Sequence, residues 1–487
     1  MTPIARLREL GRTALGESSP LVASRLASAA LTFALPLVLV RLLDPDAFGT
    51  YKQFFLVGQT LLLVGQVGLT QSLYYFLPRG GEERGAYVTH TLVVLSLLGA
   101  VLGLAIYLGA PAFGGKMGIG ELEPLRLPLA LYAALMLAAA PLEGALTSEG
   151  KIGGAAIAYV VTDAVRASAL ILAAKLVGEV AIFWAAVGVA ALRAGALALL
   201  VARRTLPASR PHRKLWRKQL AFALPFAGAI WLYVGQRYFA QYAVAARFDA
   251  ATFALYAVAA FHLPVVDIVF TPISEVLMVH LGKTLGKADG LAAWDDAVEK
   301  LASLLLPAAC GAWLLGGDVL PLLFTHKYDA AVPLFFLTTF EIPLAVVPVD
   351  ALLRAAGDTR FLFGFNAVRV AMTAAGVLSG IHFWGLRGAI VGSLVSEALA
   401  RLVMLARGRR FLLPRGGKLS AMLDGAALFR VALASALACV PAWAVKRAFA
   451  APVESVLLSA LTYGAFYLGL RQLLKPRARL HPADLAA

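Results

Sequence analysis

About fourteen stretches of predominantly apolar residues follow one another through this chain, and no loop between them exceeds about 20 residues. They cover 19–43, 48–77, 87–109, 125–146, 152–176, 180–202, 219–246, 252–282, 298–323, 330–353, 358–381, 386–407, 428–448 and 453–474. A helix needs about 20 such residues to cross the hydrocarbon core. Continuous apolar runs with interior prolines predict helices whose freed backbone groups are satisfied by neighbours, and the alternating ten-residue pattern of a membrane barrel is absent. The expected fold class is therefore an all-α integral membrane protein of about fourteen transmembrane helices. Composition agrees: 60% of the 487 residues are hydrophobic and 15% charged, against roughly 45–50% and 25% in a soluble domain. That excludes a secreted disulfide scaffold, a disordered chain and an ordinary cytosolic enzyme. The first span runs into Leu42-Leu43-Asp44-Pro45 with no small-residue cleavage site, so it is expected to be retained.

The formal charge of +16 reads first as topology and anionic-headgroup contact, with no nucleic-acid partner expected. With the N-terminus placed in the cytoplasm, the tails and loops on that side carry 27 Lys and Arg and the opposite ones 10. The bias places both termini inside. The short loops leave no room for a soluble nucleotide-binding domain, and there is no G-x-x-x-x-G-K-[ST] loop. Cys310 and Cys439 each lie within an apolar segment and read as small core residues, neither a disulfide framework nor a zinc site. The seven histidines show no ligand spacing. No metal and no cofactor are expected.

The chain repeats itself at a nearly constant offset. Asp44-x-x-x-Phe48-x-x-Tyr51 recurs as Asp249-x-x-x-Phe253-x-x-Tyr256, 205 residues on. Pro141-x-Glu143-x-x-Leu146-x-x-x-Gly150 recurs as Pro348-x-Asp350-x-x-Leu353-x-x-x-Gly357, and Gly178 as Gly385, both 207 on. An even number of helices separates the copies, so they insert the same way round, as parallel six-helix repeats. The expected organisation is an N-lobe over 1–202, a basic cytoplasmic linker over 203–218 (RRTLPASRPHRKLWRK), a C-lobe over 219–410, and two C-terminal helices with a tail over 411–487.

The strings LLDPDAFGTY, THKYDAAVPLF, LLRAAGDTRF and GLRGAIVGSLVSEAL, at the ends of spans one, nine, ten and eleven, resemble the loop motifs of polysaccharide-biosynthesis flippases of the O-antigen type. These belong to the multidrug/oligosaccharidyl-lipid/polysaccharide exporter superfamily. The resemblance covers roughly residues 15–410. It implies a V-shaped bundle of two six-helix lobes working by alternating access. Its cargo would be an undecaprenyl-pyrophosphate-linked oligosaccharide, carried from the inner to the outer leaflet of the bacterial inner membrane. Where many relatives carry an acidic residue before the arginine of span seven, this chain has Gln236-Arg237.

Ionisable side chains at membrane depth are costly and mark sites. Span one carries Arg25, Ser28 and Thr32 on one face, span two Gln59, Gln66 and Thr70. Span seven aligns Tyr233, Arg237 and Gln241, with Trp231, Tyr238 and Tyr242 nearby; span eight has Asp267, Thr271, Ser274 and Glu275. By the repeat, span one pairs with seven and two with eight, as a shared aqueous cavity requires. Arg25 and Arg237 suit a pyrophosphate, whose oxygens accept bidentate guanidinium bonds; the alternative is that they hold the lobes together through partners such as Asp267 or Glu275. Ser28, Gln59, Gln66 and Gln241 suit sugar hydroxyls, and Trp231 and Tyr233 suit sugar ring faces. Asp267 and Glu275 are the candidates for ion coupling. Asp163 with Arg166 and Glu397 with Arg401 read as mutual neutralisation along one helix. Glu143 and Asp350, near helix ends at repeat positions, read first as headgroup contacts, with a bend or cytoplasmic gate as the alternative.

Three rivals remain. A multidrug or cation antiporter of the same fold would prefer an acidic cavity. A lipid II flippase also uses a cationic cavity. A membrane glycosyltransferase could use the Asp44-Pro45-Asp46 triplet, but lacks the large outer loop such enzymes need. The expected protein is a transporter and not an enzyme, with glycan polymerase or glycosyltransferases of its pathway as further partners.

Overall fold

A computed structural model of the chain describes residues 24, 27–79, 81–113, 122–149, 152–203, 206, 209–261, 264–413, 417–449 and 451–474. Among them every regular element is a helix. In chain order these are α1 (Ala27–Leu42), α2 (Pro45–Gly65), α3 (Leu69–Phe76), α4 (Arg84–Phe113), α5 (Arg126–Ala139), α6 (Pro141–Ser148), α7 (Ile152–Leu176), α8 (Glu179–Ala202) and α9 (Arg213–Arg247). Then follow α10 (Ala250–Ala259), α11 (Pro264–Thr284), α12 (Ala288–Phe324), α13 (Val332–Thr338), α14 (Glu341–Leu344), α15 (Val349–Ala355), α16 (Thr359–Leu412), α17 (Gly425–Ala448) and α18 (Pro452–Leu473).

Among the described residues, eight helical stretches are long and apolar enough to cross a membrane, or nine with the bent pair α2 and α3 counted as one span. Each of the fourteen apolar segments nevertheless holds helix, and three physical effects lower the count. The α16 run has 54 residues, about 80 Å at 1.5 Å per residue, too long for one crossing. It turns at Gly385 (φ 58°, ψ −136°), so segments eleven and twelve are the two arms of one hairpin. The arms meet backbone to backbone, since a Cβ on Gly380 would lie 2.0 Å from the Gly388 carbonyl oxygen. Segments two and eight are broken into shorter helices, whereas segments four and ten bend and still count as the single stretches Arg126–Ser148 and His326–Ala355. Segment seven, now α9, carries enough Gln, Arg and Tyr to lower its hydropathy.

The chain forms two compact units, Met1–Ala254 and Leu255–Ala487. In the first, Leu73, Phe76, Tyr87, Leu142, Leu146 and Leu197 share one apolar cluster. Phe54 packs on Tyr132 and Phe183 at ring-centroid separations of 5.5 and 4.8 Å. Helix α9 packs on α2, α3 and α4 and so belongs to this unit. In the second unit Trp294, Leu301, Leu352 and Met404 are fully enclosed, and the Trp294 indole N–H donates to the Met422 carbonyl at 2.7 Å.

The repeated motif has the same local physics in both copies. Asp44 caps α2 by accepting the Ala47 N–H at 2.8 Å, and Asp249 accepts the Thr252 N–H at 2.8 Å. Such caps satisfy donors that a helix N-terminus otherwise leaves free. The hydrogen bonds from Thr252 hold the Asp249 carboxyl below the usual carboxylate range. Phe48 and Phe253 are buried four residues after each cap, Tyr51 and Tyr256 three further on. Gly178 and Gly385 both have positive φ. The repeat is thus a set of caps, turns and anchors.

The C-terminal hairpin of α17 and α18 leans on α12. Pro307 has no N–H, so the Ser303 carbonyl one turn earlier loses its helical partner. The Tyr467 hydroxyl donates to it at 2.6 Å, and Tyr463 to the Pro307 carbonyl at 3.0 Å. Lys446 adds a bond to the Leu314 carbonyl at 3.0 Å and an ion pair with Asp318 at 2.5 Å.

Candidate functional site

Span two breaks between α2 and α3, where Val67 (φ 47°) and Gly68 (φ 69°) both take left-handed backbone and the axis bends by 47°. A β-branched residue there is strained. Gly68 is required twice over, for its φ and because a Cβ would sit 2.3 Å from the Ala223 carbonyl oxygen of α9. The break exposes carbonyls that side chains then cover. The Trp231 indole N–H of α9 donates to Val64 O at 3.1 Å, and Gln66 folds back to donate to Leu62 O at 3.2 Å. The structure therefore brings Trp231 and Gln66 together on the last turn of α2.

About three turns earlier on α9, Gln219 is completely buried. Its amide N–H groups donate to the Ser72 and Thr91 hydroxyls, each at 2.9 Å, and to the Tyr87 carbonyl at 3.3 Å. Its amide oxygen faces His90 Nδ1 at 3.3 Å, while His90 Nε2 accepts the His212 backbone N–H at 3.0 Å. That bookkeeping fixes His90 as the neutral tautomer with its proton on Nδ1. It also pins the end of the basic linker onto α4.

Along the rest of α9, Tyr233 and Arg237 are exposed on the unit's surface and Gln241 is half-buried. Trp231 keeps an exposed face although its N–H is engaged. No described side chain forms an ion pair with Arg237. Gln59 of α2 is exposed. In α1, Arg25 lies outside the described residues. Ser28 and Thr32 meet α7: the Ser28 hydroxyl donates to the Asp163 carboxylate, and Arg166 donates to the Thr32 hydroxyl at 3.0 Å. Arg166 and Asp163 pair at 3.1 Å. In the second unit, Asp267 lies on α11 with its side chain outside the described ones, and Glu275 is exposed.

The paired charges are more extensive than one-helix neutralisation. Glu143 on α6 is buried and holds Arg193 of α8 at 2.5 Å, an interior ion pair in place of the headgroup contact read from sequence. In the second unit Glu397 accepts from both Arg369 (2.9 Å) and Arg401 (2.7 Å), with Asp350 4.0 Å from Arg369. Arg193 and Arg369 escaped sequence reasoning. The repeat arithmetic held a signal for the first, since Arg193 plus 207 falls one residue short of Arg401. Among the described residues no cluster of His, Cys, Asp and Glu could hold a metal.

Residues 38–333 match the polysaccharide biosynthesis protein family. No curated protein matches the chain. The fold is similar to that of the lipid II flippase MurJ in its inward closed conformation, with a TM-score of 0.72 and 11% identity over 97% of this chain and 100% of that one. It also resembles an outward-facing multidrug resistance MATE family transporter of the MOP superfamily (TM-score 0.55, 16% identity, 83% of this chain and 95% of that one). A MOP superfamily transporter from Pyrococcus furiosus, described as having a binding pocket of reverse polarity, gives a TM-score of 0.52 at 17% identity over 83% of this chain and 95% of that one.

Proposed function

The chain belongs to the polysaccharide biosynthesis protein family, and on that premise we propose that it is a flippase for an undecaprenyl-pyrophosphate-linked oligosaccharide. The observation that carries this is Arg237. It stands exposed on a helix of a multi-pass membrane protein, and among the described residues no carboxylate pairs with it. A lone guanidinium facing lipid is among the costliest arrangements a bilayer allows, so such residues line water-filled cavities. A cavity lined by arginine, with Trp231, Tyr233 and Gln241 on the same helix, suits an anionic headgroup bearing sugars. Arg25, Ser28, Gln59 and Gln66 complete the proposed lining. Asp267 and Glu275 are the proposed coupling groups.

The same reading takes the N-lobe over 1–202 and the C-lobe over 219–410 as alternating-access halves, with both termini and the 203–218 linker in the cytoplasm of a bacterial inner membrane. The cargo then comes from membrane glycosyltransferases, and the protein itself performs no covalent chemistry. A lipid II flippase is the second reading, supported by the MurJ fold matching the whole of that chain; it shares the pyrophosphate and differs in the glycan.

The test is complementation of a flippase-deficient strain. Arg237→Ala should abolish glycan export at normal membrane abundance, and Arg237→Lys should restore part of it, because charge survives while the bidentate fork is lost. Wild-type export by the alanine variant would refute the cationic cavity. Rescue of a lipid II transport defect instead would select the second reading.

A further inference from the structure

The chain has two cysteines in 487 residues, 129 positions apart and on different helices. Spacing alone gave them no joint role, yet the fold sets them side by side. Cys310 on α12 and Cys439 on α17 join the same small cluster with Ala434, Ala438, Ala442 and Tyr463. The two cysteines are thus neighbours on one small cluster, where α12 packs on α17 and α18, and the Tyr463 ring lies beside Gly311, the residue after Cys310. Cys439 also donates to the Ser435 carbonyl at 3.5 Å.

Three features make this more than core filling. Alanine at 434, 438 and 442 gives α17 a flat face, so its backbone comes close to α12 and α18. Neither cysteine is sealed, both being half-buried. The two helices that carry them are already tied to each other by Lys446 of α17, bonded to Leu314 O and paired with Asp318 of α12, and their neighbour α18 is tied to α12 by Tyr463 and Tyr467. Disulfide formation is geometrically demanding, and a pair held in register by independent bonds loses little motion when it closes.

We propose that Cys310 and Cys439 form a modification site, a dithiol that oxidises to an intramolecular disulfide and fastens the C-terminal hairpin to α12. The oxidant is a hydroperoxide. One thiolate attacks the peroxide O–O bond, giving a sulfenic acid and an alcohol, and the second thiol displaces water from that sulfur. Two thiols and one hydroperoxide thus give one disulfide, one alcohol and one water. The closed form stabilises the attachment of α17 and α18, because the bond removes freedom from the unfolded chain between the two helices. The reduced form leaves the hairpin held by the tyrosine and lysine bonds alone.

The experiment counts thiols on the full-length protein in native membranes. Membranes are treated with a mild hydroperoxide, denatured, and reacted with maleimide-polyethylene glycol. Untreated protein should carry two adducts, treated protein none, and dithiothreitol should restore both. Intact mass should fall by about 2 Da on treatment, the loss of two hydrogens that the balanced step requires, and a linked peptide pair should contain both cysteines. Cys310→Ser should keep one adduct at Cys439 after the same treatment. Persistence of two adducts in treated wild type would overturn the proposal. So would a mass gain of oxygen without the loss of hydrogens, or a covalent dimer on a non-reducing gel. The mass measurement needs only the wild type, so a variant that fails to fold leaves the test intact.

Discussion

Pro141 and Pro348 begin repeat-equivalent half-helices, yet the two units repair the same defect differently. A proline removes the N–H that would satisfy the carbonyl four residues earlier. In the first unit that carbonyl, Leu137 O, takes the Ala140 backbone N–H at 3.2 Å. In the second, Leu344 O takes the Arg401 guanidinium at 2.9 Å, and Val347 O takes it at 3.3 Å. The consequence reaches the charges. Arg193 is left free to hold Glu143 one-to-one at 2.5 Å. Arg401 is divided between carbonyls and Glu397, and Asp350, the counterpart of Glu143, reaches only Arg369 at 4.0 Å. The far ends of the half-helices invert the trend. Arg84 and Glu149 in the first unit are 3.7 Å apart, while Arg407 and Asp358 in the second are 2.7 Å apart. One unit is tied tightly at its break, the other at its end.

The largest effect is expected at Glu143. Its side chain is 10% exposed and that of Arg193 18%, so Glu143→Ala strands a charge in the interior. Breaking a buried pair in this way costs about 3–5 kcal/mol. Detergent-solubilised protein should lose most of its thermal stability or fail to reach the membrane. The sharper version removes both charges. Glu143→Leu with Arg193→Leu should be markedly more stable than either single change, because paired desolvation costs vanish together. A double variant as weak as the singles would show that the pair has no interior cost to relieve.

Arg401→Met comes next, at about 1–3 kcal/mol, the cost of an unmade bond to a buried carbonyl. Glu397 would still hold Arg369, so no charge is stranded. The melting temperature should fall less than for Glu143→Ala, and hydrogen exchange should quicken at the 344–348 break. Asp350→Ala should cost under about 1 kcal/mol, since its side chain is 34% exposed and its arginine keeps Glu397. Equal losses for Asp350→Ala and Glu143→Ala, read in the same melting assay, would erase the asymmetry between the units.

Much of this was legible in the residues. Hydropathy located the helices because lipid forces every backbone group to be satisfied internally. The 205- and 207-residue offsets found caps, prolines and positive-φ glycines that local chemistry imposes. The pairing of charges was less legible, because Glu143 with Arg193 and Arg369 with Glu397 join different helices, whose facing surfaces no single-helix periodicity specifies. Cys310 and Cys439 were hidden for the same reason. Ser28 and Thr32 form a polar stripe in the sequence, but periodicity names a face and not its neighbour, and the neighbour includes Asp163 and Arg166 of α7.

The smallest effect concerns Asp358, which lies in the loop before α16 and accepts from Arg407 Nε at 2.7 Å. The hydrogen bond from Arg407 holds its carboxyl below the usual carboxylate range. A depressed folded-state value means that the folded chain binds the proton more weakly than the unfolded chain does. The stabilisation is then complete above the ordinary aspartate value of about 3.9 and is lost as pH falls through the lower, folded value. Asp358→Asn should therefore lower the melting temperature slightly at neutral pH, and the gap to wild type should close on acidification below about pH 4. Because the Arg407 side chain is 30% exposed, salt should narrow the gap at neutral pH as well. The first unit supplies the control: with Arg84 and Glu149 3.7 Å apart and Arg84 half-exposed, Glu149→Gln should show a smaller gap at neutral pH. A gap at Asp358 that widens in acid, or one matched by Glu149→Gln, would mean that the second unit's end is not held by its ion pair, and the difference between the units would rest on the breaks at Pro141 and Pro348 alone.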